Sequence, residues 1–191
     1  IYKHQMDAVL TLSRTFLKED AHPSSVAWDG KNLWSISGWE HKLIRHKNDD
    51  TLAVETEIYS PFNEPAGMIH DSGYFWVCDT RDQKILKFTV RGSHLEIVEK
   101  FNSPGQKPIG LSRDGDFIWS LDSKSGLMYK HLAAQNFKVM EVYALPEEIQ
   151  RENIVCMARD GSLFWLGAES SQKVYQIDFK NLKLVSKAEQ P

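Results

Sequence analysis

Cysteine is scarce in this sequence, which has only Cys78 and Cys156 among its 191 residues. Two cysteines cannot form the disulfide framework that stabilises small secreted domains, although a single bond between them stays open. Both lie in apolar, strand-like runs, where a cysteine is typically a small buried hydrophobic residue. The cysteines therefore do not identify the compartment in which the protein works.

Long apolar runs and a strong excess of one charge are also missing. The apolar stretches extend over only a few residues, too few to span a bilayer. Lys and Arg total 23 against 26 Asp and Glu, a net charge of −3, and no basic stripe of the kind that binds nucleic acid stands out. We therefore expect neither a membrane nor a nucleic acid as partner. Phosphate-binding loops, G-x-S-x-G elbows and haem attachment sites are absent too, and we expect no cofactor.

What the sequence does contain is an internal repeat of about 43 residues. Its anchors are four tryptophans separated by 42, 43 and 46 residues: Trp34, Trp76, Trp119 and Trp165. Each follows an Asp-Gly or Asp-Ser-Gly turn signal by three or four residues, at Gly30, Gly73, Gly115 and Gly161. Glycine accepts the positive φ of a tight hairpin turn without steric cost. The pattern predicts that every unit contains the same hairpin.

A second set of positions confirms the spacing of the units. An apolar residue stands seven positions before a proline in four pairs: Phe16–Pro23, Ile58–Pro65, Phe101–Pro108 and Leu184–Pro191. The boundary between units three and four has Asn153 in place of the proline, after the insertion "LPEEIQREN", which predicts a short helical turn.

Inside each unit the apolar residues alternate, which indicates strands. Four short antiparallel strands in about 43 residues are typical of a β-propeller blade. We therefore predict an all-β protein, a β-propeller of four-stranded antiparallel blades at about residues 22–62, 63–105, 106–150 and 151–190. The alternative is an antiparallel sandwich, which has no reason to repeat a tryptophan at a fixed interval. In a propeller the four tryptophans would pack between blades.

The N-terminal segment adds one strand. Residues 8–17 fit an amphipathic helix or an alternating strand, and the seven-residue spacing to Pro23 favours the outer strand of a further blade. Unit four has its own predicted outer strand, "LKLVSKAEQ", so the strand at 8–17 is an extra one. Three interpretations stay open: a piece of a larger propeller, a four-bladed propeller with an extra strand, or two chains that combine as half-rings. The start at Ile1 fits a trimmed chain, a mature form or a piece of a longer protein.

The blade pattern resembles known propeller families. "GYFWVCDTRDQKILKF" (73–88), with looser copies in "DGKNLWSISGWEHKLIRH" and "GSLFWLGAESSQKVYQID", is similar to the repeats of NHL, SMP-30/gluconolactonase-like, virginiamycin B lyase-like and glutamine cyclotransferase-like propellers. The likeness covers about residues 22–187. It implies the propeller architecture and favours an extracytoplasmic or periplasmic location.

The SMP-30 resemblance implies a divalent metal held by Glu, Asn and Asp at the central channel. Asp79 and Asp122 match the aspartate position after the second strand, but Ser37 and Ala168 occupy it in the other units, and none of the channel strands begins with Glu. Two carboxylates are few for a cation that prefers six or more oxygen ligands. A Ca²⁺ or other divalent ion therefore belongs only to an enzymatic interpretation. For the lyase resemblance, His22 and His70 are candidates without a recognisable constellation.

The loops between second and third strands form the face where propellers usually bind. We predict that the ligand-binding residues are Trp39, Glu40, His41, Asp79, Arg81, Asp122, Lys124 and Glu169, with Asp82 and Gln172 on the same loops. A mixed-charge rim with one aromatic residue suits a protein or a small polar ligand. In the simpler interpretation the rim is only solvated, and Asp79 and Asp122 tie loops by accepting backbone N–H bonds.

Two functions follow from these observations. The first is a non-catalytic propeller module that binds a protein or a small polar ligand through its loop face, or that assembles with copies of itself or with missing blades. The second is a metal-dependent hydrolase or lyase of the SMP-30 or virginiamycin B lyase type, or a glutamine cyclotransferase-like enzyme. The absence of Glu at the start of the channel strands favours the first.

Overall fold

Four antiparallel sheets, one for each repeat, stand around a common axis as the blades of a four-bladed β-propeller. The structure is a computed structural model that describes residues 2–4, 12–15 and 22–188. The chain begins with a separate two-stranded sheet, β1 (Tyr2–His4) and β2 (Leu12–Thr15). The all-β propeller prediction is thereby confirmed.

The first two blades each have four strands in simple up-and-down order. Blade 1 consists of β3 (Ser25–Trp28), β4 (Leu33–Ser37), β5 (Lys42–His46) and β6 (Val54–Tyr59). Blade 2 consists of β7 (Pro65–Asp71), β8 (Tyr74–Asp79), β9 (Lys84–Arg91) and β10 (His94–Asn102). In both blades the first strand lies nearest the axis and the last lies on the outside.

The last two blades differ from this plan. Blade 3 contains β11 (Pro108–Asp114), β12 (Phe117–Asp122), β13 (Leu127–Leu132) and β14 (Lys138–Ala144). A short helix, α1 (Glu147–Gln150), follows it and confirms the helical turn predicted in the insertion. Blade 4 contains β15 (Ile154–Asp160), β16 (Leu163–Ala168) and β17 (Lys173–Asp178), and the final strand, β18 (Lys183–Lys187), pairs with β14 of blade 3.

The prediction that "LKLVSKAEQ" forms the outer strand of blade 4 is therefore wrong for its described residues. After β17 the chain makes a 3₁₀ turn whose first residue, Phe179, packs its ring against Trp119 and Tyr143 of blade 3, at centroid distances of 5.7 and 5.1 Å. This packing carries the chain past the edge of blade 4. Leu184 is consequently 50% exposed, whereas Ile58, its counterpart in the spacing rule, is 3% exposed.

The hairpin turns follow the sequence prediction. All four repeat glycines, Gly30, Gly73, Gly115 and Gly161, have positive φ. Other glycines allow the inner strands to approach each other closely. A Cβ on Gly67 would lie 2.7 Å from the Cα of Gly110, and one on Gly110 would lie 2.6 Å from the Cβ of Met157. The inner strands of blades 2 and 3 therefore need glycine where they approach the inner strand of the next blade.

Three of the four repeat tryptophans pack between blades, as predicted. Trp34, Trp76 and Trp119 are buried and contact aromatic rings of the next blade. These contacts are Trp34–Phe75 at 5.1 Å, Trp76–Phe137 at 5.1 Å and Trp119–Phe164 at 5.1 Å between ring centroids. Such edge-to-face or stacked aromatic pairs add to the stabilisation from apolar burial.

The fourth tryptophan, Trp165, is only half-buried because blades 4 and 1 do not pack in the same way. The inner strands β3, β7, β11 and β15 pack side by side in that order, but β15 and β3 form no comparable contact among the described residues. Between them lies an apolar cleft of about 550 Å³, whose lining includes Val26, Met68, Leu111, Trp165 and Val174. We call this space the seam cleft.

The cysteines have different environments, and both are free thiols. Cys78 is buried as predicted, and burial raises the pKa of its thiol. Cys156 is exposed, contrary to the prediction, because it lies on the open side of β15 in the seam cleft.

Residues 8–11, 16 and 17 near the N-terminus and residues 189–191 at the C-terminus lie outside the described residues. The described part of the predicted strand at 8–17 is β2, which pairs with β1. Its assignment as the outer strand of a blade stays a prediction. In the described part of the chain no helix is long enough to cross a membrane.

Candidate functional site

The two aspartates predicted at the loop face hold loops in place. The buried carboxylate of Asp79 accepts hydrogen bonds from the backbone N–H groups of Asn63 (2.7 Å), Glu64 (3.2 Å) and Asp82 (3.2 Å). Asp122 accepts from Lys107 and from the N–H and hydroxyl of Ser125, both at 2.8 Å. Each carboxylate thus ties the loop that enters its blade to the turn after the second strand. Their oxygens are occupied by these donors.

Glutamates perform this task in the blades that lack the aspartate. In blade 1 Ser37 occupies the position, and Glu40 accepts hydrogen bonds from the Ser37 hydroxyl and from the backbone N–H of His22 (3.2 Å). In blade 4, where Ala168 occupies the position, Glu169 accepts from the side-chain amide of Asn153 at 2.8 Å. Both glutamates were predicted as ligand-binding residues. The sequence signal that could have revealed their structural role is that units one and four lack the aspartate after the second strand.

One group of predicted residues does meet at a pocket. Between the loops of blades 1 and 2 lies an open pocket of about 460 Å³. Its lining includes His22, Trp39, His41, Asn63, Glu64 and Arg81. We call it the loop-face pocket. Gly38 at its base is required by packing, because a Cβ there would lie 2.7 Å from Cδ of Pro65.

Trp39 dominates the rim of the loop-face pocket, since its side chain is 84% exposed. The ring of His22 lies 6.5 Å from it, and His41 stacks on Tyr59 at 6.2 Å. His41 has a φ of 51°, a left-handed conformation that is uncommon for residues other than glycine. The turn therefore keeps His41 at the pocket in a backbone conformation that residues other than glycine disfavour.

Charges of both signs surround the pocket. His22 Nδ1 lies 2.6 Å from Oε1 of Glu40. Burial alone would raise the pKa of the Glu40 carboxyl, but hydrogen bonds from the side chain and backbone of His22 and from the backbone of Glu40, together with the charge of His22, jointly hold the pKa below its usual range. Arg81 is exposed and makes no hydrogen bond or ion pair with the described residues. The pocket therefore offers an aromatic surface, the guanidinium of Arg81 and the carboxylate of Glu64.

The other predicted residues lie elsewhere on the same face. Asp122 and Lys124 belong to blade 3, where Lys124 Nζ donates to Gln106 at 2.5 Å, and Glu169 belongs to blade 4. The structure brings Trp39, His41 and Arg81 together in the lining of one pocket, and Glu40 adjoins it through its contact with His22. Asp79 is hydrogen-bonded to the backbone of the pocket residues Asn63 and Glu64, and the other three predicted residues lie apart from the pocket. For all eight residues predicted from the sequence to bind a ligand, that role stays a prediction.

Two buried serine–histidine pairs escaped the sequence interpretation. Ser35 Oγ lies 2.7 Å from Nε2 of His46, and Ser120 Oγ lies 2.8 Å from Nε2 of His131. The Nδ1 atoms lie 3.0 Å from the carbonyl oxygen of Leu52 and 3.2 Å from that of Phe137. The pairs recur at matching positions of blades 1 and 3, whereas blades 2 and 4 have apolar residues there.

These pairs are structural. Burial lowers the pKa of His131 to about 4, although its hydrogen bond to Phe137 acts in the opposite direction. Both serines and both histidines are buried, so a substrate cannot reach them. Within the described ranges no group of three or more His, Cys, Asp or Glu side chains is close enough to hold a metal ion.

The chain has the architecture of the β-propeller class, and comparison with solved structures agrees. No protein family and no curated protein matches the sequence. Three similar structures are a nidogen/laminin complex, the glutaminyl cyclase of Myxococcus xanthus and a catalytically inactive virginiamycin B lyase from Staphylococcus aureus with quinupristin. The likeness to glutaminyl cyclase and the lyase confirms the resemblance seen in the repeats.

The similarity is structural and distant. The identities are 17%, 12% and 18%, and the TM-scores are 0.67, 0.64 and 0.60. The matches cover 91%, 85% and 94% of this chain, but 66%, 73% and 58% of the other chains. At these identities the comparison establishes the fold alone. The neighbours include enzymes and binding proteins, so they do not choose between the two functions.

Proposed function

We propose that this protein is a non-catalytic binding module whose loop-face pocket recognises an extended segment of a protein partner. The observation that carries the proposal is the exposure of Trp39 beside Arg81, which makes no ion pair with the described residues. An indole that is 84% exposed at the rim of a concave surface costs solvation and contributes little to folding. Trp and Arg are also the residues that most often dominate the energy of protein interfaces.

The shape and charge of the pocket favour a peptide. Its volume of about 460 Å³ lies within the range for ligand pockets, but it is open to solvent along one side. A peptide segment could place a carboxylate on Arg81 and an apolar side chain on Trp39 while its chain continues past the rim. A small polar ligand could satisfy the same groups, and the experiment below separates the two.

The carboxylates at the loop face also favour binding over the enzymatic alternative. A metal-dependent hydrolase or lyase requires carboxylate oxygens that are free to coordinate the ion. Asp79 and Asp122 instead accept hydrogen bonds from backbone N–H groups and are almost completely buried. Their removal from the loops would leave those N–H groups unsatisfied.

The test is selection of peptides from a phage-displayed library, followed by titration of the enriched peptide against purified variants. We expect Trp39→Ala and Arg81→Ala each to weaken binding at least about tenfold, as truncation of an interface hot spot does. Trp28→Ala is the matched control, because Trp28 is also exposed but does not line the pocket.

Two outcomes would contradict the proposal. If the enriched peptide binds Trp39→Ala as tightly as it binds the natural sequence, the loop-face pocket is not the site. If no peptide binds but amino-acid-sized ligands do so through Trp39 and Arg81, the module binds small polar ligands and the protein partner is wrong.

A further inference from the structure

The interfaces between blades 2 and 3 and between blades 3 and 4 share an ion pair near their inner hairpins. Arg113 of blade 3 lies 2.5 Å from Asp71 of blade 2. Arg159 of blade 4 lies 2.9 Å from Asp114 of blade 3. In both cases the last residue of one inner strand pairs with an arginine on the next inner strand. Between blades 1 and 2 the arginine position holds His70, which forms no ion pair with the described residues.

Blade 4 presents the same interface components, but no described blade packs on them. Trp165 is half-buried and takes part in none of the ring contacts among the described residues, and Val174 on the same face is 60% exposed. Asp160 corresponds to Asp71 and Asp114 at the end of the inner strand. It is exposed and has no ion pair within the described part of the chain.

Blade 1 does not complement this face. The arginine position is defined by strand pairing. It lies opposite the residue that precedes the repeat tryptophan, as Arg113 lies opposite Ile118, which precedes Trp119. In blade 1 that position is Trp28, which pairs with Leu33. Closure of the seam cleft would therefore place an indole where Asp160 requires a cation. A second copy of the chain offers the same blade 1 and has the same mismatch.

We propose that the open face of blade 4 is a docking surface for a blade-like β-sheet of a partner protein that carries a basic residue at the position of Arg113 and Arg159. Burial of Trp165 and Val174 supplies most of the affinity, because apolar area is the main driving force. The ion pair with Asp160 fixes the register and rejects sheets without the cation, since charge complementarity contributes chiefly to specificity. This surface is separate from the loop-face pocket.

The full-length chain can serve as its own probe. Trp28→Arg gives blade 1 the missing cation, so that the face of blade 4 can dock it, either in the same chain or in a second copy. The readout is the rate at which iodoacetamide alkylates Cys156, which lies on the docking surface. Light scattering after size exclusion reports whether docking occurs within one chain or between two.

We expect Trp28→Arg to slow alkylation of Cys156 by about fivefold or more, the effect of roughly 1 kcal/mol from an ion pair. Trp28→Gln removes the same indole without adding a charge and is the matched control. Asp160→Asn combined with Trp28→Arg should restore the original rate. Cys78 is buried and should remain unreactive in every variant, which verifies that each one is folded.

The proposal is overturned if Trp28→Arg and Trp28→Gln react at the same rate, or if protection persists with Asp160→Asn. It also fails if Cys156 of the natural sequence is already as unreactive as Cys78. That result would mean that blade 1 covers the face without a cation.

Discussion

Replacement of Trp119 by alanine should be among the most destabilising single changes in this protein. Trp119 is 1% exposed and contacts Phe164 of blade 4 at 5.1 Å, Phe179 at 5.7 Å and Tyr143 at 5.4 Å. The ammonium of Lys130 also lies 5.7 Å from the ring centroid. Truncation of a buried tryptophan to alanine costs about 3–5 kcal/mol, through lost burial and the cavity that remains.

The structure places Trp119 at the upper end of that range. The ring contacts and the cation each add roughly 0.5–1 kcal/mol to the stabilisation from apolar burial of the indole. The backbone on both sides also restricts collapse of the cavity that truncation would leave. We expect the free energy of unfolding to fall by about 4 kcal/mol. Urea denaturation followed by circular dichroism measures it, and Trp119→Phe, with a smaller expected loss, covers the case in which the alanine variant does not fold.

Trp165→Ala is the matched control, because Trp165 has the same position in its repeat but faces the seam cleft. We expect a loss of about 1 kcal/mol or less there, since a half-exposed side chain loses less burial and leaves no closed cavity. Equal losses at the two positions, or a loss below about 1 kcal/mol at Trp119, would refute the packing described here.

Two further predictions concern buried polar groups. Because the pKa of His131 falls from 6.5 to about 4 on folding, its contribution to stability is fully present above pH 6.5 and is lost as the pH falls to about 4. By proton linkage the loss in the free energy of unfolding is about 3 kcal/mol, and urea titrations at a series of pH values across this range should show it. The double variant Ser120→Val/His131→Phe places the residue types of blade 2 at these two positions and removes the titrating group. An unchanged pH dependence of stability in this variant would contradict the prediction. Asp122→Ala should lower the free energy of unfolding by about 2 kcal/mol, because three donors lose a charged acceptor. The exposed Asp116→Ala should change it by less than about 0.5 kcal/mol, and similar values for the two would show that Asp122 does not tie its loop.

The blade plan could be predicted from the sequence because its signals are local. A hairpin turn needs glycine at a fixed place, and a side chain shared between adjacent blades recurs at a fixed interval. Trp34, Trp76 and Trp119 were therefore assigned correctly. The position of β18 could not be predicted, since it depends on the packing of Phe179 against a different blade.

The site was predictable in part for the same reason. The loop face follows from strand order, so Trp39, His41 and Arg81 were placed near one another. The role of Glu40 depends on its reach across to the backbone of His22, which spacing alone does not reveal. The exposure of Cys156 likewise depends on the open cleft between blades 1 and 4, which are far apart in the sequence.

The central claim is that equivalent tryptophans of a radial repeat are buried wherever a blade follows and accessible where none does. The most direct measurement is fluorine NMR of the protein labelled with 5-fluorotryptophan, with its six resonances assigned by single Trp→Phe variants. We predict that Trp34, Trp76 and Trp119 show no solvent isotope shift between H₂O and D₂O, and that Trp28, Trp39 and Trp165 do. A Trp165 as protected as the three buried indoles, or any of those three accessible to solvent, would contradict the account.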